Sequence, residues 1–277
     1  MKNAIALGTF DGIHTAHREV LNLPIGYKKI AVTFKTPPKM YFSGNYEMIM
    51  TFEEKCEALK TLGFGEICAL DFGEVKDTPL TEFLEKIFVK YNPSYISCGF
   101  DYRFGKGAEG NVDSLAKYCR EKGIKLNVCS EITYNNQTVS SSMIREFLKN
   151  GEIEKANSLL LNPFSFTGEV IEGQKRGRTI GFPTINQKYP EELVKLKFGV
   201  YKTKVLFGGK EYFGVTNIGV RPTFKSDYVI SETYIKDFSG DLYGKSIKIT
   251  PIKFLREEIK FSSAEELQKQ MKFDLEM

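Results

Sequence analysis

The sequence has no tryptophan and only two histidines in 277 residues, so a site that needs imidazole must use His14, His17 or both. No apolar run approaches the ~18 residues that a membrane-spanning helix requires. The N-terminus also lacks the basic and then apolar pattern of a signal peptide. We therefore expect a cytoplasmic protein without a membrane span.

Cysteine is confined to one half of the chain. The five cysteines are Cys56, Cys68, Cys98, Cys119 and Cys129. Their spacing contains no Cys-x-x-Cys pair and no zinc-binding pattern, and their number is odd. Reduced and mostly buried thiols are the simplest interpretation, and the uneven distribution indicates two domains.

The chain has no strong excess of either charge. Its net charge is +4, with 42% hydrophobic and 27% charged residues, which is typical of a globular protein and not of a disordered one. A mildly basic chain can bind phosphorylated small molecules or nucleic acid, and the charge alone does not decide between them.

Strands and helices alternate in the first half of the chain. Its β-rich runs lie at 4–7, 29–34, 67–72 and 95–98. Segments with helical spacing or capping signals lie between or after them, at 51–62, 81–91 and 114–122. Such alternation predicts an α/β domain with a doubly wound parallel sheet, whose ligands bind beyond the carboxyl ends of the strands.

The second half has a different pattern. After Asn162-Pro163, short alternating strands are separated by glycines, which predicts a small antiparallel β-barrel. The pattern of residues 262–271 predicts a C-terminal helix that covers one side of the barrel. We therefore divide the chain into domains 1–155 and 156–277.

Residues 8–17, which we call the histidine loop, read Gly-Thr-Phe-Asp-Gly-Ile-His-Thr-Ala-His. They join the first strand to a helix, and their glycines permit a tight turn and a close backbone approach to a ligand. His14 and His17 fall on one face of that helix, where imidazoles can donate hydrogen bonds to phosphate oxygens. A turn-and-cap cluster with incidental histidines is the alternative. Metal binding is less favoured, because no third ligand is evident nearby.

Two more segments of the first half have a composition suited to a nucleotide or flavin. Residues 99–107 follow a strand and combine three glycines, two basic residues and three aromatics, which suits a flat ring and phosphates; a glycine-rich connection is the alternative. Residues 139–145 place three serines before an apolar helix. Arg145, one turn into that helix, can hold a phosphate, although an ordinary helix cap explains the serines equally well.

In the second half, residues 173–186 combine three glycines with three basic residues. Backbone N–H groups of such a loop can surround a polyphosphate, although the P-loop pattern is absent. Thr184 and Asn186 point to the same side of an extended chain and offer the neutral oxygens that Mg²⁺ accepts beside phosphates. A structural hairpin with a basic loop is the alternative.

Glu232 is an acidic residue within the β-rich run 228–235. Such a residue is more often the solvent-facing member of a half-exposed strand. It can also serve as a general base beside a hydroxyl group.

Five segments resemble, in order along the chain, the motifs of the bacterial bifunctional riboflavin kinase/FAD synthetases. They are the histidine loop, GFDYRFG (99–105), VSSSMIR (139–145), GRTIGFPTIN (177–186) and GVTNIGVRPTF (214–224). The resemblance spans nearly the whole chain and implies a Rossmann-like nucleotidyltransferase domain followed by a riboflavin kinase-like barrel. Several positions depart from the family pattern: Ala16 replaces a glycine, and Pro37 and Tyr234 each replace a histidine, while Val139, Ser142 and Ile185 are milder substitutions.

The resemblance implies two reactions. The barrel would phosphorylate riboflavin to FMN with MgATP, with Glu232 as the base and with Thr184 and Asn186 positioning the metal. The N-terminal domain would transfer AMP from ATP to FMN, giving FAD and pyrophosphate.

The resemblance also implies the roles of single residues. The groups expected to act in adenylyl transfer are His14, His17 and Arg145. The residues expected to bind ATP or flavin are Gly8, Phe10, Asp11, Gly12, Phe100, Asp101, Arg103, Ser140 and Ser141 in the first domain, and Gly173, Lys175, Gly177, Arg178, Gly181, Pro183 and Arg221 in the second. Riboflavin, FMN and ATP are then the partners, with no nucleic acid or membrane, and the protein is a monomer or a weak homo-oligomer.

Two other functions remain open. The first is a riboflavin kinase whose N-terminal domain is inactive or acts on another phosphate. The second is a non-catalytic protein that binds RNA through a basic barrel, although the sequence lacks a continuous basic patch with interleaved aromatics outside the loops named above.

Overall fold

The computed structural model describes residues 2–44, 46–173, 177, 181–221 and 228–277, with only the backbone of Arg221. The chain divides into two compact units, residues 1–143 and 144–277. The domain boundary at 155/156 therefore stays a prediction. Among the residues described, no helix combines the length and the apolar character needed to cross a membrane.

The first unit contains a parallel sheet with helices between its strands. Its strands are β1 (Lys2–Leu7), β2 (Tyr27–Phe34), β3 (Glu66–Leu70), β4 (Pro93–Gly99) and β5 (Lys125–Cys129), with a small hairpin of β6 (Thr133–Tyr134) and β7 (Gln137–Thr138). Its helices are α1 (Thr15–Leu21), α2 (Pro38–Phe42), α3 (Phe52–Thr61), α4 (Phe72–Val75), α5 (Leu80–Tyr91), α6 (Val112–Glu121) and the start of α7 (Ser141–Lys149). The strand order β3-β2-β1-β4-β5, with every pair parallel, confirms the predicted doubly wound sheet.

Local signals explain where the elements of this sheet begin and end. The predicted capping box at the start of α3 is present, since the Thr51 side chain accepts from Glu54 N and Thr51 N donates to the Glu54 carboxylate. The predicted strand 67–72 ends two residues early, at Leu70. The reason is Asp71, whose carboxylate accepts a hydrogen bond from Gly73 N at 2.8 Å and starts α4.

The core of the first unit lies between the sheet and its covering helices. Ile5 and Leu7 of β1 are buried, as is Ile96 of β4. Leu84 and Ile87 on the apolar face of α5 belong to the same core cluster. Burying β1 between two neighbouring strands fixes where its carboxyl end, and therefore the histidine loop, emerges.

The second unit is a closed antiparallel barrel. It follows the rest of α7 and α8 (Ile153–Leu159), and its strands are β8 (Phe166–Ile171), β9 (Thr184–Lys188), β10 (Gly199–Phe207), β11 (Lys210–Arg221), β12 (Tyr228–Ile235) and β13 (Ser246–Arg256). The order around the barrel is β10-β11-β12-β9-β8-β13, and β13 pairs with β10 to close it. The predicted barrel is confirmed.

Side chains inside the barrel include a chain of hydroxyl groups. Thr216 Oγ1 lies 2.9 Å from both Thr203 Oγ1 and Thr233 Oγ1, and all three residues are fully buried. Because side chains alternate along a strand, Thr233 in the interior places its neighbours Glu232 and Tyr234 on the outer face.

The C-terminal helix α9 (Ala264–Glu276) starts after the cap Ser263, whose side chain accepts from Glu266 N. It extends beyond the predicted end at 271. Asp274, which is completely buried, lies in that extra turn and binds Arg256 of β13 at 2.7 Å. This ion pair joins the end of the helix to the barrel.

Candidate functional sites

The histidine loop leaves the sheet where its strand order reverses. β1 lies between β2 and β4, so the loops that follow β1 and β4 emerge side by side at the carboxyl edge. This edge is where doubly wound sheets bind their ligands.

Close packing fixes the shape of the histidine loop. Phe10 is fully buried with a φ of 53°, and its ring lies over Gly8, where an added Cβ would be 2.6 Å from the ring. Gly12 has a φ of 81°, and an added Cβ there would be 2.9 Å from the Ile49 side chain. Both glycines are therefore needed for this loop to form.

Asp11 ties the histidine loop to its surroundings. Its carboxylate accepts hydrogen bonds from Ile49 N at 2.9 Å and from the Tyr46 hydroxyl at 3.2 Å. Its backbone carbonyl accepts one from Ser141 Oγ at 2.8 Å, and Ser140 Oγ accepts from Met143 N at 3.3 Å in the first turn of α7. The structure thus brings the predicted Ser141 to the histidine loop, and Arg145 lies one turn further along α7.

The two histidine rings are stacked. Their centroids are 3.7 Å apart with an interplanar angle of 19°, and the ring of Phe10 meets His17 edge-on. His14 caps α1, because its Nδ1 accepts from His17 N at 3.4 Å. A ring nitrogen that accepts carries no proton, so neutral His14 holds its proton on Nε2.

Burial lowers the pKa of His17 well below its ordinary value, and nearby His14 and Lys55 lower it further. His17 Nδ1 is also buried without a hydrogen-bond partner. The arrangement therefore keeps the His17 imidazole neutral at physiological pH and leaves its Nδ1 without a hydrogen-bond partner.

Lys55 lies behind the histidine loop and was not predicted as a site residue. Its ammonium group donates to Phe34 O at 2.7 Å and to Thr9 O at 3.1 Å, and the residue is 3% exposed. A sequence signal did exist. Lys55 falls on the same face of α3 as buried Ala58 and Leu59, where helical spacing predicts an apolar residue.

The segment after β4 contains side chains that pack against the protein and others that are exposed to solvent. Tyr102 stacks on Phe104, which is buried against Gly110. The predicted residues Phe100, Asp101 and Arg103 are exposed, Phe100 at 47%. The segment therefore leaves an aromatic ring and two charges of opposite sign on the surface.

In the second unit, three polar residues form a row across neighbouring strands. Glu232 of β12 pairs with Asn217 of β11 on one side and with Asn186 of β9 on the other. Directly paired residues share a face of a sheet, and this face is the outside of the barrel. We call these three residues the polar row. Thr184 pairs with Tyr234 two positions along the same face, and the Tyr234 ring contacts Phe182.

Asn186 has an unused oxygen. Its Oδ1 is buried without a hydrogen-bond partner. Gly173 lies against its amide so closely that an added Cβ would be 2.2 Å from Nδ2. Since Mg²⁺ binds neutral oxygens beside phosphates, Asn186 and half-buried Thr184 fit the predicted metal-positioning role. Within the described ranges, no cluster of three or more His, Cys, Asp or Glu residues could hold a metal.

Asn217 is the member of the polar row that sequence analysis did not single out as a site residue. Its Nδ2 donates to Glu258 at 2.8 Å, which leaves its buried Oδ1 without a partner. Glu258 also lies over Gly219, where an added Cβ would be 2.4 Å from the carboxylate. Asn217 lies within the GVTNIGVRPTF segment that the sequence had indicated. The sequence does not show that it pairs with Glu232, because that pairing depends on the register of the strands.

The remaining predicted residues of this loop are only partly described. Gly177 accepts a backbone hydrogen bond from Phe182 N at 2.9 Å, Gly181 has a φ of 80° and Pro183 is exposed. Lys175, Arg178 and the side chain of Arg221 lie outside the described residues.

Comparison with known proteins identifies both halves. The FAD synthetase family model matches residues 1–143, and the riboflavin kinase family model matches residues 160–277. A solved structure described as a macrolide-efflux protein from Streptococcus pneumoniae superimposes with a TM-score of 0.91. It is 28% identical, over 99% of this chain and 93% of that one.

Curated relatives match along nearly their whole length. Bifunctional riboflavin kinase/FMN adenylyltransferases from Listeria monocytogenes and Bacillus subtilis are 33% and 32% identical, each over 99% of this chain and 90% of the relative. The corresponding Escherichia coli protein is 32% identical, over 98% of this chain and 90% of the relative. With both site regions on one chain, the protein belongs to the bifunctional riboflavin kinase/FMN adenylyltransferase family.

Proposed function

We propose that the chain makes FAD in two steps, with riboflavin, FMN and ATP as its small-molecule substrates. The barrel phosphorylates riboflavin to FMN with ATP and Mg²⁺. The N-terminal unit then transfers AMP from a second ATP to FMN and releases pyrophosphate. The observation that carries the proposal is the polar row, because it sets a carboxylate between two amides that each retain an unpaired oxygen.

In the kinase step, Glu232 accepts the proton of the terminal ribityl hydroxyl as its oxygen attacks the γ-phosphorus of ATP. ADP leaves, and general-base help of this kind is typically worth ~10²–10⁴-fold in rate. Thr184 and Asn186 would hold Mg²⁺, which would supply positive charge that neutralises the phosphates. We expect Gly173, Lys175, Gly177, Arg178, Gly181 and Pro183 to bind the ATP phosphates, and Arg221 to contribute a positive charge.

In the adenylyl step, a phosphate oxygen of FMN attacks the α-phosphorus of ATP and pyrophosphate leaves. His14 and His17 donate hydrogen bonds to the charge that develops on the phosphate oxygens. Ser141 and Arg145 help to hold phosphate. No covalent enzyme intermediate is required, since positioning and charge stabilisation supply the rate enhancement.

Binding in the adenylyl site combines two kinds of residue. Gly8, Phe10, Asp11 and Gly12 act through the shape of the histidine loop, because Phe10 and Asp11 are buried. The exposed Phe100, Asp101 and Arg103 contact the flavin or nucleotide directly, and Ser140 acts through the first turn of α7.

The experiment supplies wild-type protein with riboflavin, ATP and Mg²⁺ and identifies FMN and FAD by chromatography. Glu232→Gln should stop FMN formation, while FMN supplied directly is still converted to FAD. The matched control is Glu211→Gln, which changes an exposed glutamate of β11 paired with Lys204 and should leave both steps intact. Equal loss of both activities in folded Glu232→Gln would contradict the separation of the two sites.

A second candidate is a riboflavin kinase without FMN adenylyltransferase activity, favoured by Ala16 and Pro37 at family glycine and histidine positions. FMN offered as the first substrate distinguishes them, because only the bifunctional enzyme makes FAD from it.

We further propose a cytoplasmic enzyme that is a monomer or weak homo-oligomer and does not bind nucleic acid. In support of the compartment, all five cysteines are free thiols.

A further inference from the structure

Lys55 is a charged residue in a place where helices are normally apolar. It lies in the first half of α3, is 3% exposed and is flanked on its face by buried Ala58 and Leu59. A buried charge is costly unless its hydrogen bonds are satisfied. The position of Lys55 therefore needs an explanation beyond packing.

The hydrogen bonds of Lys55 join the end of β2 to the histidine loop. The ammonium group donates to Phe34 O, the last residue of β2, at 2.7 Å, and to Thr9 O of the histidine loop at 3.1 Å. A third contact reaches Thr33 Oγ1 at 3.5 Å, and that hydroxyl itself donates to Thr9 O at 2.8 Å. The three acceptors of one ammonium thus lie in the histidine loop and at the end of β2.

We propose that Lys55 is a positioning residue of the adenylyl-transfer site, whose ammonium group holds the histidine loop in place against the end of β2. The inference rests on the proposed adenylyl transfer in the N-terminal unit. Lys55 acts through Thr9 and not by touching substrate, since its donors are occupied by protein oxygens.

The charge of Lys55 has a second consequence for the loop. The titratable groups that interact with Lys55 are Asp11, Cys56 and His17. Burial lowers the pKa of Lys55 to about 8, partly offset by Asp11 and Cys56, so near neutral pH it is mostly an ammonium. That positive charge is one cause of the low pKa of His17, and removing it should make His17 easier to protonate.

The first test reads the histidines directly by NMR. The chain has only two, so a pH titration of the imidazole signals gives two curves, which a His17→Gln sample assigns. Lys55→Gln and Lys55→Met should each move the His17 curve to higher pH. Lys60→Met, at an exposed lysine of the same helix, should leave it in place. Unmoved curves in the folded Lys55 variants, or an equal shift in Lys60→Met, would overturn the proposal.

The second test separates the hydrogen bonds of Lys55 from its charge. Glutamine keeps two N–H donors without charge, whereas methionine keeps only the bulk. With FMN as substrate, kcat/KM for FAD formation should fall at least tenfold in Lys55→Met and by a smaller factor in Lys55→Gln, and the acid limb of the pH profile should move to higher pH in both. Equal rates in the two variants and wild type would refute the positioning role.

Riboflavin phosphorylation by the same samples is the internal control and should be unchanged. If Lys55→Met does not fold, the Lys55→Gln titration and rate decide. If wild-type protein makes no FAD at all, adenylyl transfer is the assignment that fails. The histidine titration then still decides whether Lys55 sets the state of the loop.

Discussion

Ala16 is a half-buried residue in the first turn of α1 and lies in the sequence between His14 and His17. If ATP packs against this turn, the methyl group crowds it, and overpacking of this kind typically costs ~1–3 kcal/mol. We expect Ala16→Gly to raise kcat/KM for ATP in the adenylyl step by about 5- to 150-fold, since ~1.4 kcal/mol is a factor of ten. The kinase step should not change.

The same substitution should weaken α1, because glycine in a helix costs roughly 1 kcal/mol relative to alanine. Activity and thermal stability should therefore move in opposite directions, which initial rates from FMN and a melting curve can measure. A variant that makes FAD no faster than wild type would show that the methyl group does not limit ATP binding.

Lys55 should give the first unit a characteristic dependence of stability on pH. Burial lowers its pKa from 10.5 to about 8, so between these values the unfolded chain holds a proton that the folded chain has lost. Stability then rises with pH relative to a variant without this lysine. Urea unfolding followed by circular dichroism measures the free energy of unfolding of wild type and of Lys55→Met. Above pH 8, this free energy should change in favour of wild type by up to about 1.4 kcal/mol per pH unit. A difference that is constant between pH 7.5 and 9.5 would contradict this.

Sequence analysis proposed site residues that stand in motifs and did not point to residues defined by tertiary contact. His14, His17 and Asn186 each lie in a segment whose composition suggested a site, whereas Glu232 was proposed from the family resemblance. Lys55 is different, because its partners come from the histidine loop and from β2. No local pattern along α3 shows those partners, and only an unexpected charge on its apolar face marks the residue.

At the scale of elements, the ion pair of Arg256 and Asp274 should control the docking of α9. Asp274 is fully buried and the Arg256 side chain is 16% exposed. Asp274→Ala would leave that guanidinium unpaired, which typically costs ~3–5 kcal/mol. Glu257→Ala, which removes an exposed pair with Lys197, should cost at most about 1 kcal/mol. Denaturant unfolding measures both, and equal costs would show that burial of the pair is unimportant.

Element boundaries show where sequence reasoning was sufficient. The capping box at Thr51 and the strand at 228–235 were predicted because their signals are local. The end of α9 was placed too early, since its last turn is anchored by Arg256, a residue 18 positions away. The register that forms the polar row was also beyond prediction, because strand pairing depends on how the barrel closes and not on any one strand.

At the scale of the molecule, we expect the kinase unit to work alone. A fragment of residues 156–277 should fold and phosphorylate riboflavin. A fragment of residues 144–277 should be the more stable of the two, because it keeps all of α8, including fully buried Ile153. Asn157 of this helix donates to Pro251 O of β13 at 3.0 Å and accepts from Phe164 N at 2.9 Å.

Thermal melts and riboflavin phosphorylation by both fragments measure this. An unfolded 144–277 fragment beside a sound full-length protein would show that the barrel depends on the first unit. Identical melting temperatures for the two fragments would show that the start of α8 contributes nothing to the barrel.

The polar row also determines which mutations in the barrel leave the site intact. Asn217, Glu232 and Asn186 meet only because three strands keep one register. Replacing a neighbouring side chain alters one contact, but losing a single codon within β12 would turn Glu232 inward, where Thr233 now lies. In a closed barrel such an offset has no free edge at which to end. During evolution, insertions and deletions within these strands should therefore be tolerated less often than amino-acid substitutions.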